Sequence, residues 1–205
     1  MSMRLFHAPA SPYVRKVMVL LHETGQTDAV EILPTVVSPM DAGPTLPALN
    51  PLGKLPTLER ADGPALYDSR VICRYLDDLA GGRLSPSGPR LWDMLTLEAT
   101  ADGIMDAAIL MVYENRLRPA EKAMDSIVEA QWAKIVRALD VLDGRWLGHL
   151  AGPLDLGQIA VGCALGYLDF RHPGRDWRRG RPGLTEWMAR FSERPSMQAT
   201  RPPEA

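Results

Sequence analysis

Hydrophobic and polar positions change period along this chain, and the changes mark its elements. Met3 to His7 alternates in the manner of a strand, and Val14, Val17, Met18 and Leu21 then recur at helical spacing. Ser11 stands directly before Pro12, a favoured N-cap followed by the residue best suited to the first helical position. This predicts a helix from Pro12 to about Thr24, ending where Gly25 tolerates a left-handed C-terminal cap. A second strand is predicted near Val30 to Val37. The proline-rich stretch from Ser38 to Pro51 reads as irregular, with at most a short helix. Strands at Thr57 to Arg60 and Ala65 to Tyr67 flank Asp62-Gly63, a hairpin signal. Ser69 is expected to cap a helix running to about Leu79.

Beyond this point the pattern is helical. Leu91, Met94, Leu95, Ala99, Met105, Ala108, Ile109 and Val112 form one stripe, ended before Pro119. Ile127, Val128, Gln131, Ile135, Ala138, Leu139 and Leu142 form a second, which implies an antiparallel partner. Asp155 should cap a third helix, with Gln158 at the N3 position bonding back, while Gly162 and Gly166 allow neighbouring backbones to approach. Between the two regimes, Ala80 to Pro89 is dense in helix breakers. The expectation is therefore an α/β domain of order βαβαββα over residues 1–80, a linker over 81–89, and an all-α domain over 90–205.

Charge narrows the partners. The chain of 205 residues has a formal net charge of −2, with seven basic against nine acidic residues up to Ala80 and 16 of each thereafter. Neither half carries a strong field, which argues against nucleic acid. The basic cluster Arg171, Arg175, Arg178, Arg179 and Arg181 reads as a solvated loop between helices ahead of an anion contact. No stretch approaches the roughly 20 apolar residues of a membrane helix, and no leader pattern opens the chain, so a cytoplasmic protein is expected. Cys73 and Cys163 lie inside apolar helical patterns and read as small buried hydrophobes. His7, His22, His149 and His172 show no i, i+4 spacing, and no metal site is expected.

Three short elements carry the chemistry: Ser11-Pro12-Tyr13-Val14, the run Asn50-Pro51-Leu52-Gly53-Lys54-Leu55-Pro56-Thr57-Leu58, and Leu66-Tyr67-Asp68-Ser69. In this order and spacing they resemble the thioredoxin-like domain of the glutathione transferase family. The segment from Gly152 to Phe170 resembles that family's capped helix in its all-helical domain. The serine-led entry to the first helix is most similar to the bacterial and theta-like branches. Glutaredoxin-like proteins of the same fold carry Cys-Pro-Tyr-Cys where this chain has Ser-Pro-Tyr-Val, which disfavours thiol–disulfide exchange.

The resemblance implies a site. Ser11 would donate a hydrogen bond to the glutathione sulfur and hold it as the thiolate. Leu55, before a cis Pro56, would pair its backbone with the cysteinyl unit. Asp68 would take the γ-glutamyl ammonium, Ser69 the adjoining carboxylate, and Lys54 the glycyl carboxylate. Asp102 looks like a residue that reaches the glutathione of a neighbouring subunit in dimeric relatives. Tyr13, Met105, Ile109, Tyr113 and Trp177 are candidates to line the electrophile pocket, expected between the two domains. The family also implies a homodimer, here involving Arg70, Arg74 and Asp77 on one helix and Met94, Leu97, Glu98 and Ala101 on the long one. The leading expectation is a glutathione transferase acting on a small hydrophobic electrophile, with glutathione as co-substrate. A specialised isomerase, dehalogenase or ether-cleaving enzyme, and a non-catalytic interaction module, stand as alternatives.

Overall fold

The alternating start of the chain forms strand β1 (Met3–His7) in the computed structural model, which describes residues 3–203. β1 is the centre of a three-stranded sheet: β2 (Val30–Pro34) runs parallel on one side and β3 (Thr57–Glu59) antiparallel on the other. Being paired on both edges and covered by helices, β1 buries Leu5 completely. The parallel pair is joined by helix α1 (Pro12–Thr24), with Ser11 as its N-cap and Gly25 at φ 68° as its C-cap, both as the pattern predicts. A short helix α2 (Leu46–Leu49) is all that forms in the proline-rich stretch, and α3 (Ser69–Leu79) closes the first domain.

Two details depart from expectation. The strand anticipated at Ala65 to Tyr67 reduces to a single bridge, Leu58 to Leu66, because the turn after it leads at once into α3. The cap of α3 is Asp68: it has extended backbone angles and its carboxylate accepts from the Arg70 N–H at 3.0 Å, whereas Ser69 is already helical. Adjacent Asp and Ser both satisfy the capping chemistry. The carboxylate is the better complement to the helix dipole.

The chain divides into two units, with the change at Pro86 to Ser87. The second holds α4 (Pro89–Leu117), α5 (Asp125–Arg145), the short α6 (Leu147–Leu150), α7 (Leu156–Arg171) and α8 (Pro182–Ser192). α5 packs along α4, and α7 is the central member, packed on α4 and α8. From Leu156 to Leu165 every residue of α7 is buried. Each large aliphatic among them contributes on the order of 1.5–3 kcal/mol by leaving water. A close backbone approach lies at Gly157, where an added Cβ would meet the Met94 carbonyl oxygen at 2.9 Å and the Leu97 Cβ at 3.0 Å. Cys73 and Cys163 are buried, as expected.

Asp155 caps α7 through a 3.1 Å bond from the Gln158 N–H. Its second oxygen accepts from Arg90 at 3.1 Å and lies 2.7 Å from the His149 Nε2. Gln158 does bond backward, but onto the carbonyl of Pro153 at 2.7 Å in the preceding loop rather than onto the capping residue. One buried carboxylate thus ties the starts of α4 and α7 to the end of α6.

The segment over residues 195–203, placed by pattern with the helical domain, belongs to the first unit. Its helix α9 (Pro195–Ala199) packs on α1. Arg15, itself buried, donates to the Met197 carbonyl at 3.1 Å, and Ser196 hydrogen-bonds Glu23.

Replacement of Asp155 by Ala removes the cap and leaves Arg90 without its carboxylate. A loss of about 2–4 kcal/mol is expected. A thermal melt of the variant should show a transition lower by roughly 5–15 °C, and an unchanged melt would contradict the keystone role of this residue.

Candidate functional site

Strand register decides which loops meet. Phe6 pairs with Thr57 and Leu5 with Leu58, so the end of β1 and the beginning of β3 share one edge of the sheet. The antiparallel bridge from Leu58 to Leu66 then carries Tyr67, Asp68 and Ser69 back to that edge. The segments around Ser11, Leu55 and Ser69, some 60 residues apart in the chain, therefore converge, and α1 and α3 both begin there. The buried Lys16 of α1 acts electrostatically on Asp68, which agrees with this placement.

At the start of α1 the Ser11 hydroxyl oxygen accepts from the Val14 N–H at 3.3 Å. Its proton is given to no acceptor among the described residues. The cap therefore uses only the oxygen lone pair and leaves the O–H to donate elsewhere. Tyr13, next but one along the chain, is half-buried.

The loop before β3 is held by Asn50, whose role no pattern along the chain marks out. Asn50 is buried, and its Nδ2 donates to the Lys54 carbonyl at 2.9 Å and to the Thr57 hydroxyl at 3.1 Å, while its Oδ1 accepts from the Leu52 N–H at 3.0 Å. Gly53, at φ 60°, completes the turn, and a Cβ there would lie 2.5 Å from that of Ala42. The turn alone is legible there: Asn directly before Pro, three residues ahead of Gly, is turn chemistry. Thus braced, the Leu55–Pro56 peptide is cis, as the resemblance implies. The backbone N–H and C=O of Leu55 have no hydrogen-bond partner among the described residues. Lys54 is exposed.

At the start of α3, Asp68 forms a 2.7 Å ion pair with Arg70. Burial pushes its carboxyl up, but the hydrogen bonds from Arg70 and the charges of Arg70 and Lys16 outweigh this and hold it below the ordinary carboxylate value. It is an anion at neutral pH. Because Asp68 does the capping, Ser69 keeps both its hydroxyl and its N–H unengaged among the described residues. A hydroxyl and an N–H at a helix N-terminus suit a carboxylate, and an aspartate beside them suits an amine.

In the helical unit, Asp102 and Met105 are buried on α4, Ile109 is half-buried, and Tyr113 is 38% exposed. Met105, Ile109 and Tyr113, four apart, share a helix face. Trp177 is buried and its indole N–H donates to Asp169 at 2.7 Å, so its polar atom is already used within this unit. Asp77 is also buried, accepting from the Leu84 N–H, and Met94, Leu97, Glu98 and Ala101 are all buried within the chain. The basic loop is largely an internal lattice: Arg175 pairs with Glu129, Arg178 with Asp169 at 2.6 Å, and Arg181 with Asp140 at 2.6 Å. No group of metal-ligating side chains occurs among the described residues, nor any helix long and apolar enough to cross a membrane.

The chain is similar to known proteins. A family profile described as "Glutathione S-transferase, N-terminal domain" matches residues 10–79, and one described as "Glutathione S-transferase, C-terminal domain" matches residues 125–190. The uncharacterised GST-like protein YibF of Escherichia coli is 36% identical over 207 residues, covering 99% of this chain and all of its own. A glutathione transferase family member from Pseudomonas fluorescens Pf-5, solved with bound glutathione, is 52% identical with a TM-score of 0.96, covering 98% of this chain and all of its own. A second structure from that organism, with bound S-(propanoic acid)-glutathione, is 51% identical with a TM-score of 0.91 and the same coverage.

Asn50→Asp turns the donor that faces the Lys54 carbonyl into an acceptor. Two buried oxygens are then opposed, and a loss of about 2–4 kcal/mol is expected. Denaturant unfolding measures it; a variant as stable as the parent would show that Asn50 does not brace the loop.

Proposed function

The chain belongs to the glutathione transferase family, and from that premise we propose that it binds glutathione at the converging edge of the first domain and activates its thiol for transfer to a small electrophile. The observation that carries this reading is the set of uncommitted polar groups at that edge: the Ser11 O–H, the Leu55 backbone and the Ser69 hydroxyl and N–H. Each matches one part of the tripeptide. Leu55 adds to the cysteinyl backbone as a strand would, Asp68 and Ser69 take the γ-glutamyl ammonium and carboxylate, and Lys54 meets the glycyl carboxylate.

The chemical step needs an anion. A thiol of pKa about 8.5 is only about 3% ionised at pH 7, and the thiolate is the nucleophile. Lowering that pKa by about two units requires roughly 2.7 kcal/mol of selective stabilisation. A hydrogen bond from Ser11 to the charged sulfur contributes about 1.5–3 kcal/mol, and the N-terminus of α1 about 0.3–1 more. The two together supply about 1.8–4 kcal/mol, a range that brackets the requirement. The sulfur then forms its bond to the electrophilic carbon while the leaving group departs with the bonding pair, and the thiol proton has already passed to water. The relative holding S-(propanoic acid)-glutathione is consistent with a thioether of this kind as product.

Isothermal titration with glutathione tests the reading at its base, and no binding at millimolar concentration would favour an interaction module instead. Ser11→Ala should raise the pKa of the bound thiol, read by ultraviolet titration, and lower turnover about tenfold or more, with affinity changing less. Ser69→Ala should instead weaken binding by about 1–3 kcal/mol while sparing that pKa. An unmoved thiolate pKa in the first variant would remove Ser11 from the mechanism.

We also propose a homodimer, as the family implies. Since Met94, Leu97, Glu98, Ala101 and Asp77 are buried within the chain, the surface left to it is the exposed side of α3 with Val71, Arg70 and Arg74 and the start of α4 with Trp92, which is 67% exposed. Sedimentation at micromolar concentration should give twice the chain mass. A species of one chain mass would overturn the dimer and with it any role for Asp102 at a neighbour's glutathione.

A further inference from the structure

Arg15 of α1 is a buried cation without an anion. It is 9% exposed, and its guanidinium donates to two neutral acceptors, the Met197 carbonyl of α9 at 3.1 Å and the hydroxyl of Thr200, just past α9, at 3.5 Å. No carboxylate pairs with it among the described residues; Glu23, the only acid of α1, takes the Ser196 hydroxyl. Removing a guanidinium from water is costly unless its charge is answered, and two neutral acceptors hold the group in place without cancelling that charge. The neighbouring Lys16, also buried, differs in this respect, since its charge acts on Asp68 at the start of α3.

The position of Arg15 gives the charge a use. Its own N–H donates to the Ser11 carbonyl at 3.0 Å, in the same turn in which the Val14 N–H donates to the Ser11 hydroxyl oxygen at 3.3 Å. Four residues of helix rise about 6 Å, and helical side chains lean toward the N-terminus. The guanidinium therefore belongs to the end of α1 that carries Ser11, where the helix dipole is already positive. The α9 segment fixes it there. The Thr200 hydroxyl that accepts from Arg15 donates in turn to the Ser196 carbonyl at 2.8 Å, and Ser196 is bound to Glu23. The return of the chain is thus fastened to α1 at two points, Arg15 near its start and Glu23 near its end.

We propose that Arg15 is a positioning residue that supplies a fixed positive charge to the head of α1 and, resting on the transferase reading, stabilises the thiolate held by Ser11. The charge is in place before the anion forms, so no group has to reorient when it does. A guanidinium suits this task because its planar fork of donors can be clamped while its charge stays constant at any physiological pH.

The test measures the pKa of bound glutathione by ultraviolet titration in the parent, Arg15→Met, Arg15→Lys and Ser196→Ala. Arg15→Met keeps the length and apolar stem and removes the charge, and should raise that pKa by about half a unit to one unit. Turnover well below the pKa should then fall by about three- to tenfold, while turnover well above it approaches that of the parent. Arg15→Lys keeps the charge and loses part of the clamp, so its thiol pKa should stay near the parent value even though its thermal transition is lowered. Ser196→Ala loosens α9 at its far fastening only, and should lower the transition without moving the pKa. An unmoved pKa in Arg15→Met, a rise in Arg15→Lys as large as in Arg15→Met, or an equal rise in Ser196→Ala would each overturn the proposal; the lysine arm decides it where the methionine variant does not fold. Calorimetric titration of the parent separates the two readings. Absence of glutathione binding removes the transferase reading and this inference with it, whereas binding with an unmoved pKa in Arg15→Met removes the role of Arg15 alone.

Discussion

The antiparallel pairing of β3 against β1 is the constraint on which the first domain depends. Side chains alternate between faces with a period of two, so a slip of one residue would turn Leu58 out of the core and Glu59 in. The register that buries Leu5 and Leu58 also sets Thr57 beside Phe6, and through Thr57 it fixes the loop before it. Asn50 extends that constraint by reaching from the loop to the Thr57 hydroxyl. Core packing and site geometry are thus one requirement: the strand that seals the interior also presents the Leu55 backbone.

The starts of α1 and α3 show how capping and binding are shared out. At Ser11 a single hydroxyl serves both purposes, its lone pair satisfying the helix and its proton remaining available. At α3 the labour is split between neighbours, Asp68 capping and Ser69 staying uncommitted. Each arrangement leaves a donor at the positive end of a helix, where an anion is favoured.

Much of this was legible because it is local. Ser11, Pro12 and Gly25 bound α1, and Asp155 caps α7, through contacts within three or four residues. The cap of α3 was misplaced by one position because Asp68 and Ser69 are both good caps, and only backbone angles distinguish them. Other features depend on partners that no window along the chain contains. The acids that neutralise the basic loop include Glu129, 46 residues before Arg175, and Asp140, 41 before Arg181. The buried role of Asn50 follows from the fold of its loop. The return of residues 195–203 is not legible along the chain, because a five-residue helix carries too little periodicity to declare which core it joins.

That return bears on how the protein is made. A first domain ordinarily completes itself as it leaves the ribosome, before the next has been synthesised. Here α1, which carries Ser11 at its head, waits for Met197 and Ser196 to cover its flank and to engage Arg15 and Glu23. Every residue of the helical domain must be translated first. The first domain is therefore finished last, and its α1 flank stays uncovered for the whole time its neighbour is being built.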